Sequence, residues 1–146
     1  MWQWIQDRFR TQGSDTGSWG EAIAASWLQE HAGFRVVTRN WRDPNNLRRE
    51  IDIVALDGAV LVFVEVKTRK RAAAVSGRFA VNQRKRRALL VACDAYLRAL
   101  PVRSRPGTFR FDVVEVSDPG AAQRAREEAG VRHFANVPLF RTYYRR

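Results

Sequence analysis

The strongest constraint on the fold is a pair of strand-like runs joined by the dipeptide Asp57-Gly58. The first run is EIDIVAL at residues 50–56, and the second is AVLVFVEVK at residues 59–67. Asp-Gly between two such runs is typical of a tight β-hairpin turn. The second run is apolar on both faces as far as Glu65, which predicts a central strand covered on both sides. We therefore expect an α/β fold in which a mixed central β-sheet is flanked by helices on both faces.

Patterns on either side of this hairpin predict the remaining elements. Apolar residues at helical spacing predict a helix over residues 18–31 and another over about 82–100, with Cys93 and Tyr96 on the buried stripe of the second. The other predicted elements are a strand over 34–41, a turn over 43–46, a strand over 108–116, a short polar helix over 120–130 and a final strand over 131–137.

The chain has 146 residues, which suits one domain of ordinary size. We expect that domain to cover residues 18–137. Residues 1–17 read as an N-terminal leader, in which Trp2, Ile5 and Phe9 recur at helical spacing, and residues 138–146 read as a basic aromatic tail.

Composition narrows the class of protein. Hydrophobic residues make up 45% of the chain, too many for a disordered protein. The single cysteine, Cys93, excludes an intramolecular disulfide and a cysteine-rich zinc site, and the isolated His31 and His133 favour surface or cap positions over metal ligation. No apolar run is long enough to span a bilayer and no signal-peptide core is present, so we expect a cytoplasmic protein without a membrane partner.

The charge balance points to a polyanionic partner. Twenty-six basic residues against fifteen acidic ones give a net charge of +11. Residues 67–87 contain nine basic residues and no acidic one, which predicts a surface that contacts nucleic-acid phosphates. The alternative is a solvated basic face in a protein that favours arginine. The candidate nucleic-acid-binding residues are Arg69, Lys70, Arg71, Arg84, Lys85, Arg86 and Arg87.

The predicted hairpin gathers acidic residues. If Asp57 and Gly58 form a two-residue turn, the numbers of antiparallel partners sum to 115, so Glu50 faces Glu65 and Asp52 is diagonal to Glu65. Lys67 shares their face because strand side chains alternate with a period of two. An ordinary ladder of ion pairs and a cation site explain this pattern about equally well.

A cation would relieve the repulsion among these carboxylates. Magnesium prefers oxygen ligands and can polarise a phosphodiester, and Lys67 could then orient water or stabilise developing negative charge. The basic segment that follows Lys67 favours this interpretation, since it would deliver phosphate to the metal. By itself, Glu21 in the first helix indicates only a favourable interaction with the helix dipole.

A series of motifs along residues 18–137 resembles the bacterial YraN family. In chain order they are Gly20-Glu21 with Ala24 and Leu28, Asn40-Trp41-Arg42, Glu50-Ile51-Asp52-Ile53-Val54-Ala55, Val62-Phe63-Val64-Glu65-Val66-Lys67-Thr68-Arg69, Lys85-Arg86-Arg87 with Ala95-Tyr96-Leu97, and Arg110-Phe111-Asp112-Val113-Val114. That family is regarded as nuclease-like, with the restriction-endonuclease-like fold of the PD-(D/E)xK type, and as similar to archaeal Holliday junction resolvases. The resemblance implies a three-layer fold with a mixed central sheet.

The resemblance also implies roles for individual residues. Asp52 corresponds to the motif aspartate, Glu65-Val66-Lys67 to the E-x-K motif, and Glu21 joins Asp52 and Glu65 as a metal ligand. Glu50 and Lys85 are implied as a second tier. The chain departs from the family pattern at Arg49, where the family has glycine, and in a loop over residues 43–49 that looks longer than usual.

We therefore expect a metal-dependent endonuclease that hydrolyses phosphodiester bonds in DNA, including branched or structured DNA. Magnesium is the expected ion and manganese the alternative. A non-catalytic binding protein that keeps the nuclease fold is the second hypothesis, and an RNA-binding or ribosome-associated protein is the third, since positive charge does not distinguish DNA from RNA. A homodimer would suit the twofold symmetry of a four-way junction, although the sequence has no clear dimer signature.

Overall fold

A computed structural model describes residues 15–71 and 83–139 of the chain. They form two α-helices, a short 3₁₀ helix and five strands. The helices are α1 (Asp15–Glu30) and α2 (Gln83–Ala99), and the 3₁₀ helix is Val102–Ser104; the strands are β1 (Arg35–Asp43), β2 (Asn46–Asp57), β3 (Val60–Lys70), β4 (Phe109–Asp118) and β5 (Gly130–Phe134).

The five strands form one mixed sheet in the order β1-β2-β3-β4-β5. Neighbouring strands are antiparallel except for β3 and β4, which run parallel. Parallel neighbours need a crossover connection, and α2 lies in the connection between these two strands. The parallel pair occupies the middle of the sheet, so the second run of the predicted hairpin is indeed a central strand.

Each face of the sheet is covered by one helix. On one face, α1 packs Ala24 and Leu28 against Val62 and Val64 of β3. On the other face, α2 packs its buried stripe against a core that includes Phe63; the stripe is Leu89, Ala92, Cys93 and Tyr96. The result is a three-layer α/β fold, which confirms the predicted fold class.

The hairpin register differs from the predicted one by two residues. Asp57 pairs with Val60 and Ile53 with Val64, so partner numbers sum to 117 instead of 115. The turn consists of Gly58 and Ala59, and Gly58 has a φ of +58°. Only the first central residue has positive φ, as in a type II′ turn, whereas the prediction placed Asp57 in the turn. A two-residue slip leaves every side chain on its predicted face.

Four other sequence predictions need correction. Helix α1 begins at Asp15, three residues earlier than predicted, and the strand predicted to reach residue 137 ends at Phe134. Residues 121–126 form turns in place of the predicted polar helix. The expected long loop over 43–49 is a turn at residues 44–45 followed directly by β2, because Asp43 and Asn46 pair as the last residues of a β1–β2 hairpin.

His133 is not isolated, contrary to the sequence-based expectation. Its Nε2 atom lies 2.8 Å from Oδ2 of Asp112, and its side chain is 13% exposed. The ring also meets Trp27 and Phe34 edge-on. The fully buried Asp112 accepts two further hydrogen bonds from the guanidinium of Arg110. The pairing of β4 with β5 creates this contact between residues that are distant in sequence.

Several predictions fall outside the part of the chain that the structure describes. They are the Trp2, Ile5 and Phe9 stripe of the leader, the first residue of the helix predicted over about 82–100, and the last residues of the basic tail. None of the helices in the described ranges is long and apolar enough to cross a membrane.

Candidate metal and nucleic-acid site

Strands β2 and β3 separate at Asp52, and the candidate site lies at that point. Their pairing ends with Ile53 and Val64, and upstream of Ile53 strand β2 pairs with β1 alone. Asp52 and Glu65 are the next residues on the two strands. The backbone N–H of Val66 donates a 2.8 Å hydrogen bond to Oδ2 of Asp52, so the aspartate side chain replaces the missing ladder contact. This bond fixes the orientation of the Asp52 carboxylate.

Helix α1 brings Glu21 to the same place because Gly20 allows a close approach to β3. A Cβ atom at Gly20 would overlap Oγ1 of Thr68. Glycine is therefore needed where the helix crosses the strand, and Glu21 follows it directly. The charges of Glu50 and Glu65 both act on the Glu21 carboxyl, which shows that α1 and the hairpin share one electrostatic environment.

Glu65 is held by two lysines. Its Oε1 atom lies 2.6 Å from Nζ of Lys85 on α2 and 3.3 Å from Nζ of Lys67 on the same strand. The Glu65 residue is only 5% exposed, and a carboxylate that is buried to this extent is costly without such partners. Burial lowers the pKa of Lys85, but the hydrogen bond to Glu65 and the charges of Glu65 and Asp52 outweigh it and raise that pKa overall.

Asp52 is the most perturbed carboxyl of the site. Burial, followed by the charge of Glu65, raises the pKa of Asp52 to about 8, against the opposing effect of the Val66 N–H bond. Burial likewise raises the pKa of Glu21, while Asn40 and Arg39 oppose the rise. The site thus concentrates more negative charge than its surroundings can stabilise, and strong shifts of this kind are typical of functional sites.

Glu50 lies at the edge of this cluster. Its carboxylate is 3.4 Å from the guanidinium of Arg42, and its side chain is 56% exposed. Its charge still acts on both Glu21 and Asp52. The structure therefore brings Glu21, Asp52 and Glu65 together with Lys67 and Lys85, and it places Glu50 as an outer residue.

The donor set of this cluster suits a hard divalent cation. Carboxylate oxygens are preferred by magnesium and manganese, and a cation would relieve the repulsion that raises the pKa of Asp52. As the side chains lie, however, residues 15–71 and 83–139 contain no group of three or more acidic, histidine or cysteine side chains arranged to hold a metal. Ligation by Glu65 would have to share or replace its contacts with Lys85 and Lys67.

The basic residues at the end of β3 have acidic neighbours. Arg71 pairs with Glu127 and donates a hydrogen bond to the carbonyl of Glu128. Nε of Arg69 lies 3.8 Å from a carboxylate oxygen of Glu115. These two arginines therefore carry less uncompensated charge than the sequence suggests, while Lys70 is exposed beside them.

The basic residues of α2 divide into two groups. Arg86 donates to the carbonyl of Leu139 at 3.3 and 3.2 Å, and Lys85 contacts Glu65. Arg84 and Arg87 are exposed, and their guanidinium groups form no ion pair with any residue that the structure describes. Among the candidate residues on α2, the positive charge without an ion-pair partner in the described ranges thus lies at Arg84 and Arg87.

Asn40 and Glu115 were not predicted as site residues. Asn40 lies on β1 between the residues that pair with Ile51 and Ile53, and has a φ of +52° within the strand. Asparagine tolerates this conformation, and unusual backbone angles often mark functional positions. The sequence signal was the Asn40-Trp41-Arg42 motif.

Glu115 lies beside Lys67 in the sheet and is 7% exposed, yet nothing in its local sequence distinguishes it from an ordinary strand residue.

Comparisons with known proteins point to one family. A sequence model described as uncharacterised protein family UPF0102 matches residues 20–116. A UPF0102 protein from Symbiobacterium thermophilum is 44% identical over 110 residues, covering 75% of this chain and 87% of the relative. A UPF0102 protein from Chlorobaculum parvum is 39% identical over 118 residues, with 80% and 86% covered, and one from Syntrophotalea carbinolica is 40% identical over 119 residues, with 81% and 86% covered.

Proposed function

We propose that this chain, which belongs to the uncharacterised protein family UPF0102, is a metal-dependent endonuclease that hydrolyses phosphodiester bonds in DNA. Family membership confirms the predicted YraN assignment. The observation that carries the activity is the convergence of Glu21, Asp52 and Glu65 with two lysines where β2 and β3 separate. Branched or structured DNA is included among the substrates.

The three carboxylates are the residues that would hold the metal. When bound, a divalent ion supplies Lewis-acid polarisation of the phosphodiester and helps to generate hydroxide. Asp52 is the best-oriented ligand, because the Val66 N–H bond leaves its carboxylate in one position. Glu65 comes from the adjacent strand and Glu21 from α1, so the ligand set joins two layers of the fold.

Lys67 has the position expected of a water-orienting residue. Its Nζ atom is 3.3 Å from Glu65, and its side chain is 29% exposed, which leaves it accessible from the substrate side. An ammonium group here can donate hydrogen bonds to an attacking water and to a phosphate oxygen that gains charge. In the hydrolysis, the water oxygen bonds to phosphorus, one phosphorus–oxygen bond breaks, and the leaving oxygen takes up a proton.

Lys85 is the cation that neutralises Glu65 on the α2 side. At 2.6 Å from Glu65, its ammonium group competes with any metal for the same carboxylate oxygen. The charge of Lys85 would become available to a substrate phosphate once a metal takes over at Glu65. This gives Lys85 a role that an isolated surface lysine would not have.

A non-catalytic nucleic-acid-binding protein is the second candidate function. The two lysines on Glu65 favour it, since they already stabilise the buried carboxylate without a metal. In that case Glu65 has a structural role, and binding depends only on the basic surface. RNA and DNA are both polyanions that such a surface can bind.

A cleavage assay separates these functions. Purified protein is incubated with labelled linear, single-stranded, flap and four-way-junction DNA in magnesium, manganese or EDTA. The test variants are Glu65→Gln and Lys67→Ala. Their controls are Glu30→Gln, an exposed acid at the end of α1, and Arg103→Ala, an exposed arginine of the 3₁₀ helix.

The nuclease proposal expects metal-dependent cutting that both test variants lose and both controls keep. DNA that is bound but never cut, with equal affinity for wild-type protein and Glu65→Gln, would refute the nuclease and support the binding protein. Tighter binding of RNA than of DNA in a competition assay would instead indicate an RNA-binding protein.

A further inference from the structure

A basic cleft lies between the β1–β2 hairpin and α2, beside the acidic site. It has a volume of about 570 Å³. Its polar lining comes from Asn46, Arg48 and Arg49 on β2 and from Gln83, Arg84 and Arg87 on α2. We infer that this cleft binds the sugar–phosphate backbone of duplex DNA next to the cleavage site. The assignment to substrate DNA rests on the proposed nuclease function, but binding itself can be measured separately.

The charge of the cleft is largely uncompensated. Arg49 pairs with Asp43 at 3.1 Å, and this contact holds it against the hairpin turn. Arg48, Arg84 and Arg87 have no ion pair with a residue inside the described ranges, and all three are exposed. Repulsion among unpaired arginines that share one cleft is relieved when an anion enters, and phosphate accepts their paired N–H donors well.

The side chains that line the cleft suit contacts to the sugar–phosphate backbone of a nucleic acid better than contacts to its bases. The described residues around the cleft include no aromatic side chain and no carboxylate; Ala88 and Val91 complete the lining. Single-stranded nucleic acids are usually bound by aromatic side chains on which bases stack. Arginines with the amides of Asn46 and Gln83 instead supply the donors that contact phosphate oxygens. The cleft therefore favours a duplex, whose phosphates are exposed and whose bases are stacked.

The cleft is built on β2 and α2, two elements that also carry residues of the acidic site. Arg84 and Arg87 are three residues apart on α2, so they lie on one side of the helix. Lys85, between them in sequence, contacts Glu65. On the opposite wall, Arg49 immediately precedes Glu50 on β2. A duplex lying in the cleft would thus extend toward the carboxylates from one side.

The β2 wall of the cleft is held by an ion pair and by the strand pairing on either side of it. Arg49 contacts Asp43 of β1 at 3.1 Å. Residues 47–49 form an irregularity between the pairs Asp43–Asn46 and Arg42–Glu50. Arg48 and Arg49 therefore lie on a short segment that strand pairing anchors at both ends.

The test measures binding without cleavage. All proteins carry Asp52→Asn and are kept in EDTA, and fluorescence anisotropy follows a labelled duplex, the same single strand, and a duplex RNA of that sequence. The cleft variant is Arg48→Ala with Arg87→Ala. The control is Arg103→Ala with Arg126→Ala, which removes the same charge from two exposed arginines outside the cleft.

The cleft variant should bind duplex DNA about tenfold or more weakly at about 0.1 M salt, and its slope of log affinity against log salt should fall by about 2. The control should change both quantities much less. Replacing the same two arginines by lysine should restore most of the affinity, because the charge is retained. This lysine variant also separates a lost contact from a folding defect.

Three results would overturn the inference. They are equal losses in the cleft and control variants, an equal loss for single-stranded DNA and duplex DNA, and tighter binding of duplex RNA through the same arginines. The proposed nuclease fails independently of these. Normal cutting by the cleft variant in an otherwise wild-type chain would refute the cleft alone, whereas cleft-dependent binding without cutting by any protein would refute the nuclease alone.

Discussion

Replacing Asp52 by asparagine should stabilise the protein, and increasingly so as pH rises. Burial and the charge of Glu65 raise the pKa of Asp52 from its ordinary value of 3.8 to about 8. Between these two values the folded carboxyl holds a proton that the unfolded chain releases. The unfolded state therefore binds one proton fewer, and the free energy of unfolding falls as pH rises through this range.

The size of the effect follows from proton linkage. One proton of difference corresponds to about 1.4 kcal/mol per pH unit. From about pH 5 to about pH 7, the free energy of unfolding of the wild-type protein should therefore fall by roughly 3 kcal/mol relative to Asp52→Asn. Asparagine has no carboxyl proton to lose, and its side-chain oxygen can still accept from the Val66 N–H group.

Urea denaturation in EDTA across this pH range measures the difference, with the metal ion excluded. Asp94→Asn is the matched control, because the Asp94 side chain on α2 is 57% exposed and its 2.9 Å ion pair with Arg98 lies at the surface. Exposed ion pairs contribute little to stability, so the effect of this substitution should be small. The free energies of unfolding of wild type and Asp52→Asn could instead differ by the same amount at every pH. That result would show that Asp52 is ionised in the folded protein, and would refute the electrostatic account of the site.

Three further predictions concern residues around this site and the buried Asp112 on β4. Gly20→Ala should lower the free energy of unfolding in urea by about 1 to 3 kcal/mol, because its methyl group overlaps a β3 side chain; no loss would show that α1 moves without cost. Lys85→Met should bind manganese about tenfold more tightly by calorimetry without DNA, since it removes a positive charge 2.6 Å from Glu65; unchanged affinity would exclude Glu65 as a ligand. Asp112→Asn should cost about 3 kcal/mol at neutral pH because it breaks a buried ion-pair network. Burial raises the pKa of Asp112, but the hydrogen bonds from His133 and Arg110 outweigh it and lower that pKa overall. The stabilisation by Asp112 is therefore present above pH 3.8, the ordinary pKa of an aspartate, and is lost as pH falls through the lower pKa of the folded protein. Urea curves that keep the full difference between wild type and Asp112→Asn under strongly acidic conditions would contradict this prediction.

The central part of the fold was predictable because its signals are local. Alternation and turn chemistry identify the β2–β3 hairpin, and side-chain period places Asp52, Glu65 and Lys67 on neighbouring positions. The predicted hairpin register was wrong by two residues, because Gly58 can be either the first or the second central residue of a turn. In this protein it is the first, and that choice depends on the whole sheet. An error of two residues preserves faces, so the predicted cluster survived it.

The missing parts of the site depend on long-range packing. Asn40 has a left-handed backbone conformation within β1. Its side-chain hydrogen bond to Glu21, which lowers the pKa of that carboxyl, forms only because α1 packs against β1. Glu115 joins the neighbourhood of Lys67 through the parallel pairing of β3 with β4. The resemblance alone made Glu21 a candidate, because a carboxylate near the start of a helix has an ordinary explanation in the helix dipole.

The most direct test of the proposed nuclease is single-turnover cleavage of a labelled four-way junction in magnesium by wild-type protein and Asp52→Asn. Both proteins are purified in parallel and first shown to bind the junction equally in EDTA. The account predicts cutting by the wild type and a loss of at least about 100-fold in the variant, since Asp52 is the best-oriented carboxylate of the site. Equal cutting by both proteins, or cutting by neither, would contradict a metal-dependent nuclease centred on Asp52.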